Sequence, residues 1–278
     1  MCIRDRLYSE KGFSTKPEYR ATDYYLMDGY NDSNYPDVTP ERDGKRLIVQ
    51  PNTFNMYCHR EPRFYLTVVW NGQWFKWENR NTNFLYGQPD GGPTHDAPQN
   101  GYLIRKKISP DLNVKQGTYK YRPGIVYRLG EAYLNYAEAL NESDPGNGDI
   151  LVYLNKIRER AGIRQYTTGA TDDNFIHVDL NDQAEMRKLI RAERRVELNC
   201  EGIRYDDLRR WKEAENVLNG DFYGMNFSGK DNFSFYVRTP YLKRVYKKAY
   251  YWFPIHQSEI DKNCLLYTSP SPRDRTRS

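Results

Sequence analysis

Residues 185–211 read Glu-Met-Arg-Lys-Leu-Ile-Arg-Ala-Glu-Arg-Arg-Val-Glu-Leu-Asn-Cys-Glu-Gly-Ile-Arg-Tyr-Asp-Asp-Leu-Arg-Arg-Trp, a run in which acids and arginines crowd on either side of Gly202. Charges at this density meet only on a helical scaffold, where side chains three or four positions apart share a face and immediate neighbours do not. Glu193 and Glu197 are such a pair. Two carboxylates on one face are also what a glycosidase needs, one as acid and one as nucleophile or base. A general acid requires a raised pKa, however, and arginines nearby hold a carboxylate ionised. With Arg194, Arg195, Arg204, Arg209 and Arg210 adjacent, the pattern fits a structural ion-pair lattice of Glu193, Arg194, Glu197, Glu201, Arg204, Asp207 and Arg210. Charge reversal at Glu197 or Arg204 is then expected to damage folding first.

The hydrophobic spacing around this run predicts two helical hairpins. Asp182 with Glu185 forms a capping-box-like start, Met186, Leu189, Ile190, Val196 and Cys200 stripe one helix, and Gly202 ends it. Tyr205, Leu208, Trp211, Ala214 and Leu218 stripe its partner. Upstream, Ile125, Leu129, Ala132, Tyr133, Tyr136, Ala137 and Leu140 recur at helical period, and Pro145, Gly146 and Gly148 break the pattern. Asp149 caps a following helix with Ile150, Leu151, Leu154 and Ile157 inward, and Gly162 supplies the left-handed exit. Leu129-Gly130-x-x-Tyr133 has the spacing of the tetratricopeptide signature, in which a small glycine lets helices approach and Tyr fills the groove.

Residues 7–116 are rich in Asn, Asp, Gly, Pro and Tyr and read as loop-dominated. Arg63–Trp70 is the clearest strand there, Asn71-Gly72 the tight turn, and Gln73–Trp77 the returning strand. Trp70, Trp74, Phe75 and Trp77, followed by Asn83 and Tyr86, are the candidate ligand contacts. Flat rings pack on the apolar faces of sugars and amides pair with hydroxyls; the competing reading is plain core packing.

Composition narrows the function classes. Aromatics make up 15% of the 278 residues, with 25 tyrosines, so much ring surface is half exposed. The formal charge is +5, of which residues 1–6 carry +1 and residues 264–278 carry +2, leaving a body near +2. That is too little for a nucleic-acid reading. Both end segments resemble translated adapter remnants and are set aside as 1–6 and 263–278. Cys58 and Cys200, and the four histidines, lie at no metal or redox spacing, so no cofactor and no metal is expected. No phosphate loop, dinucleotide fingerprint or nucleophile elbow occurs, and no catalytic residue is assigned.

Four ordered motifs carry a resemblance. Tyr127-Arg-Leu-Gly-Glu-Ala-Tyr-Leu-Asn-Tyr-Ala-Glu-Ala-Leu-Asn-Glu142 resembles the repeat helix of the SusD/RagB family, as do Arg191-Ala-Glu-Arg-Arg-Val-Glu-Leu198 and its continuation through Trp211. Glu61-Pro-Arg-Phe-Tyr65 is similar to the family's Asp-Pro-Arg-Phe-Tyr, and Phe253-Pro-Ile-His-Gln-Ser-Glu-Ile260 to its closing Pro-Ile-Pro-Gln-Ser-Glu-Ile. The resemblance implies a mainly α fold of tetratricopeptide-like helical hairpins, with a loop-rich region containing short β-hairpins at 7–116 and the helical-repeat region at 117–262. It implies a non-enzymatic outer-membrane lipoprotein that binds oligosaccharide, or in some members peptide, for a SusC-like TonB-dependent transporter. Family members are about twice as long, so the body matches the C-terminal half, without the signal segment and lipid anchor. The alternatives are a helical-repeat scaffold that touches only the transporter, and a glycoside hydrolase on Glu193 and Glu197.

Overall fold

The structure, a computed structural model, describes residues 52–57, 60–75, 78–109, 112–121, 123–172, 174–252 and 256–262. The helical half begins with α2 (Leu129–Ser143) and α3 (Asp149–Arg160), an antiparallel pair, followed by α4 (Gln183–Glu197), which packs against α2. Their shared core is the expected stripe: Leu134 and Ala137 of α2, Ile150, Leu154 and Ile157 of α3, Met186 and Ile190 of α4. Asp182 caps α4 by accepting from Glu185 N at 3.0 Å, while the Glu185 side chain pairs with Lys188 rather than closing the box. Gly162 leaves α3 at φ +70°, a conformation open to glycine at little cost.

Four helix boundaries differ from the sequence reading. The first helix starts at Leu129, not Ile125: Ile125 and Val126 are exposed, and Arg128, its cap, is extended. Asp149 is the first helical residue and Gly148 the cap. The partner of α4 is split into α5 (Arg204–Arg210) and α6 (Ala214–Leu218), because Lys212 adopts φ +59° and Glu213 N turns back to Leu208 O. Likewise α4 ends at Glu197, so Cys200 lies beyond it at φ +62°.

In the loop-rich half the largest correction concerns Arg63–Trp70. Residues Pro62–Thr67 form a helix, α1, and only Val68–Trp70 is a strand, β1. Pro62 presets the first helical turn, where its missing N–H is no loss. Helical geometry also buries Phe64, Tyr65 and Thr67 together, which strict alternation cannot do. The Asn71-Gly72 turn exists, yet its flanks do not pair with each other. β1 pairs with β4 (Tyr102–Ile104), and β2 (Trp74–Phe75) with β3 (Arg80–Asn81). Thr82 diverts them: its hydroxyl donates to Trp70 O at 2.6 Å and accepts from Gln73 N at 3.1 Å, occupying the ladder positions a direct hairpin needs.

β5 (Gln165–Thr167) and β6 (Phe175–His177) form a short parallel pair after α3. A longer antiparallel ribbon joins β7 (Gly220–Met225) and β8 (Arg238–Arg244), with α7 (Asn232–Phe235) in the connection. Met225 and Phe235 anchor the ribbon in an aromatic core with Tyr57, Phe64, Tyr65, Trp70 and Phe84. Val196 of α4 joins that core, so the two halves share it. The described chain closes with α8 (Gln257–Lys262). Among the described residues no helix is long and apolar enough to cross a membrane.

Candidate functional site

The charged run does build a lattice, but Glu193, Glu197 and Glu201 take their partners from other elements. Arg63 Nη1 donates to Glu193 at 2.6 Å and to Glu197 at 3.0 Å, while the rest of its guanidinium spans Glu61 at 2.7 and 3.0 Å. Arg158 of α3 reaches Glu193 at 2.8 Å. Arg128 reaches Glu197 at 2.6 Å and Glu201 at 2.7 Å, Arg160 also bonds Glu197, and Lys106 bonds Glu201 at 2.6 Å. A second cluster joins Arg194 to Asp207 at 2.9 Å, and Arg210 to Asp207 and Glu138; the Trp211 indole N–H donates to Glu138 at 2.6 Å.

Two expectations change here. The arginines adjacent in sequence do not hold Glu193 and Glu197, since neighbours one position away point around the helix. Arg204 is not part of the lattice: no ion pair links it to a carboxylate among the described residues, and its guanidinium sits 5.6 Å from the Trp211 ring. Burial lowers its pKa to about 10, with Arg195 adding to the shift.

The electrostatics do not fit acid catalysis at Glu193 and Glu197. Burial alone raises both carboxyls, but Arg63 and Arg158 outweigh it at Glu193, and Arg63, Arg160 and Arg128 outweigh it at Glu197, so both stay below the ordinary value. Glu61 behaves oppositely. Burial pushes it up to about 7, because desolvation outweighs the Arg63 charge, already shared with two other acids, and the weaker pull of Arg158, while Glu193 repels it.

Gly130, read as a point of close helix approach, serves this lattice instead. A Cβ there would lie 2.5 Å from Arg128 Nη1 and 3.2 Å from Glu197 Oε1, so the missing side chain makes room for that ion pair. Tyr133 packs beside Tyr153 at 5.1 Å between centroids, filling the α2–α3 groove.

The aromatic candidates separate. Trp70 is fully buried, stacked at 5.3 Å on Phe64 and 5.4 Å on Tyr57, with no face for a ligand; it is core. Trp74 is buried too, and Phe75 is half-buried. Trp77 lies outside the described residues. Asn83 organises its own loop: its N–H donates to Asp90 at 2.8 Å and its side-chain oxygen accepts from Leu85 N at 3.3 Å. Asp90 is gripped by Arg80 at 2.6 and 2.8 Å.

Tyr86, at the end of this loop, is half-buried and docks on the connection after β7, its N–H donating to Gly229 O at 2.8 Å. Its ring borders Gly92: a Cβ at Gly92 would meet Tyr86 Cδ2 at 3.3 Å and Phe227 Cδ2 at 3.6 Å. Tyr86 and the 39% exposed Phe227 therefore flank one glycine, with Lys230 Nζ 6.0 Å from the Tyr86 ring. Phe227 was not legible as a site residue, since it stands alone in sequence, 141 positions after Tyr86. Arg158 and Glu138 did carry a signal: each is a charge placed on the apolar stripe of its helix. No group of three or more His, Cys, Asp or Glu is placed to hold a metal ion among the described residues.

With this geometry in view, the comparisons with known proteins are informative. A model described as SusD family matches residues 9–271. SusD-like protein P2 of Formosa agariphila is 34% identical over 106 residues, which is 38% of this chain and 20% of that protein. A SusD-like protein structure from Bacteroides fragilis is 28% identical with a TM-score of 0.58, covering 77% of this chain and 39% of its own. A second structure from that species, described as a SusD-like carbohydrate binding protein, is 27% identical with a TM-score of 0.56, covering 88% and 47%. The chain thus spans less than half the length of the relatives it matches.

Proposed function

The chain belongs to the SusD family, and from that premise we propose that it is part of a non-catalytic glycan-binding protein of an outer-membrane nutrient-uptake system. Its partner is a SusC-like TonB-dependent transporter, and the whole protein is held at the cell surface by an N-terminal lipid anchor. The observation that carries the glycan reading is the Tyr86–Phe227 pair. Two accessible rings flank a glycine at which a side chain would crowd the gap between them. Such rings stack on the C–H faces of a sugar, while the loop's amides and carbonyls, with Lys230 nearby, supply hydrogen bonds to hydroxyls. The related B. fragilis protein described as carbohydrate binding supports the same class of ligand.

Calorimetric titration of the chain with a panel of neutral and acidic oligosaccharides tests this. We expect binding without product release, and a loss of about tenfold on Tyr86→Ala with Phe227→Ala at unchanged melting temperature. Unaltered affinity in the double variant removes this pair from the site. Reducing-sugar release abolished by Glu193→Gln overturns the non-catalytic assignment.

A scaffold reading, with protein as sole partner, draws on one observation. Tyr119, Tyr121, Ile125, Val126, Tyr127 and Leu129 are all exposed along one segment, an apolar strip suited to a protein surface. Absence of any glycan binding, with transporter co-purification lost on Tyr121→Ser and Val126→Ser, favours it.

A further inference from the structure

In the buried network arginines are matched to acids; on the β7–β8 ribbon they are not. From Asn232 to Ser258 the sequence has five Lys or Arg and no Asp or Glu. Among the described residues, no ion pair is made by Lys230, Arg238, Lys243, Arg244, Lys247 or Lys248. Two of these cations are held in place by rings. The Arg238 guanidinium lies 3.7 Å from the Tyr223 centroid, and that of Arg244 4.2 Å from Phe222. A guanidinium laid on a ring face keeps its in-plane N–H donors free, and its planar fork matches carboxylate and sulfate oxygens two at a time.

The ribbon is also a rigid place to carry them. Met225 and Phe235 fix one end in the aromatic core, and Tyr246, just past β8, is buried with Leu208 and Ala214 at the other. Between them the paired strands run six and seven residues, about 20 Å, the reach of several sugar rings. The Met225–Arg238 end leads directly into the loop that carries Phe227 and Lys230, beside Tyr86.

We propose that the ribbon selects acidic oligosaccharides, with Arg238 gripping carboxylate or sulfate groups of a chain whose sugar faces stack at Tyr86 and Phe227; Arg244, laid on Phe222 and so on the opposite face of the ribbon from Tyr223, lies outside this site. The inference rests on the glycan-binding reading and names its substrate class. A stacked arginine continuous with a sugar-stacking corner favours a glycan over an acidic protein segment, for which exposed lysines alone suffice.

The test uses the full chain and matched probes: oligogalacturonate against its methyl ester, and a sulfated galactan oligosaccharide against its desulfated form. At low salt the charged member of at least one pair binds at least tenfold more tightly, and the advantage shrinks by about 0.5 M salt as screening shortens. The pair that shows it identifies carboxylate or sulfate as the recognised group. Arg238→Gln removes the advantage and leaves neutral-sugar affinity intact, whereas Arg244→Gln, on the opposite face, leaves the advantage in place. Arg238→Lys, which keeps the charge but not the fork, loses most of it. Equal affinity for charged and neutral members of both pairs overturns the inference while leaving the glycan reading standing. Polyglutamate competing as well as the acidic glycan overturns it in favour of an acidic protein partner. Absence of binding by every glycan overturns both.

Discussion

The buried network around Arg63 and the exposed β7–β8 ribbon use the same residue types in opposite settings. In the network, Glu193 is about 1% exposed and meets two guanidiniums, and Arg63 is divided among three carboxylates. On the ribbon, Arg238 and Arg244 meet rings instead of acids and face water. Charge taken out of water must be matched, so the network has no capacity left for a ligand. Charge left in water need not be matched, and is available. Density of charge in the sequence therefore locates structure here, and imbalance of charge marks the surface proposed for recognition.

The comparison breaks first at Glu193. Glu193→Ala strands Arg63 and Arg158 in the interior and should cost about 3–5 kcal/mol, lowering the calorimetric melting temperature by roughly 10 °C. A melting temperature unchanged in this variant would remove the network from the folding account.

The next largest effect is in pH. Glu138, Glu193, Glu197 and Glu201 are held below the ordinary carboxyl value, against the opposing pull of burial, by their Arg and Lys partners. Their stabilisation is present above about pH 4.5 and is lost as pH falls through their folded values. Glu61, raised by burial to about 7, acts in reverse. Its protonated form favours the fold, and that stability is lost as pH rises from 4.5 through 7, by at most about 3 kcal/mol. Glu61→Gln should flatten the decline in melting temperature over that interval while leaving the acid limb in place. An identical profile in the variant would contradict the role given to Glu61.

Smaller effects sharpen the contrast. Glu197→Lys should resemble Glu193→Ala, but Arg204→Gln should cost about 1 kcal/mol, since Arg204 packs over Trp211 without a carboxylate partner. Equal losses in urea unfolding would return Arg204 to the lattice. Smallest of all, Arg244→Gln on the ribbon should stay within about 0.5 kcal/mol of the parent. A larger loss would make its contact with Phe222 structural.

Much of the fold was legible because it is local. The stripes of α2, α3 and α4 repeat at helical period over a dozen residues each, and Gly162 ends α3 as its type requires. The loop-rich half was less legible. Arg63–Trp70 has strand composition, yet Pro62 and the need to bury Phe64 and Tyr65 together make its first part a helix. Asn71-Gly72 specifies a turn but not its partners, which Thr82 reassigns. Of the aromatic candidates, Trp70 became core because its strand pairs with Tyr102 beneath Tyr57 and Phe64. Tyr86 remains accessible, joined by a residue that no local pattern singles out.

The sequence by itself determined the α2–α3 hairpin, the capping of α4 and the presence of a matched set of charges, because periodicity and short-range spacing encode these within a few turns of chain. The family's motifs were equally readable, since each is contiguous. Tertiary structure alone decided which arginine meets which glutamate, since Arg63 lies 130 positions from Glu193. It alone separated buried tryptophan from accessible tyrosine, and it alone laid Arg238 and Arg244 on rings of the neighbouring strand. The reason is the same in each case: burial and desolvation are properties of the packed whole, and no window of sequence contains them.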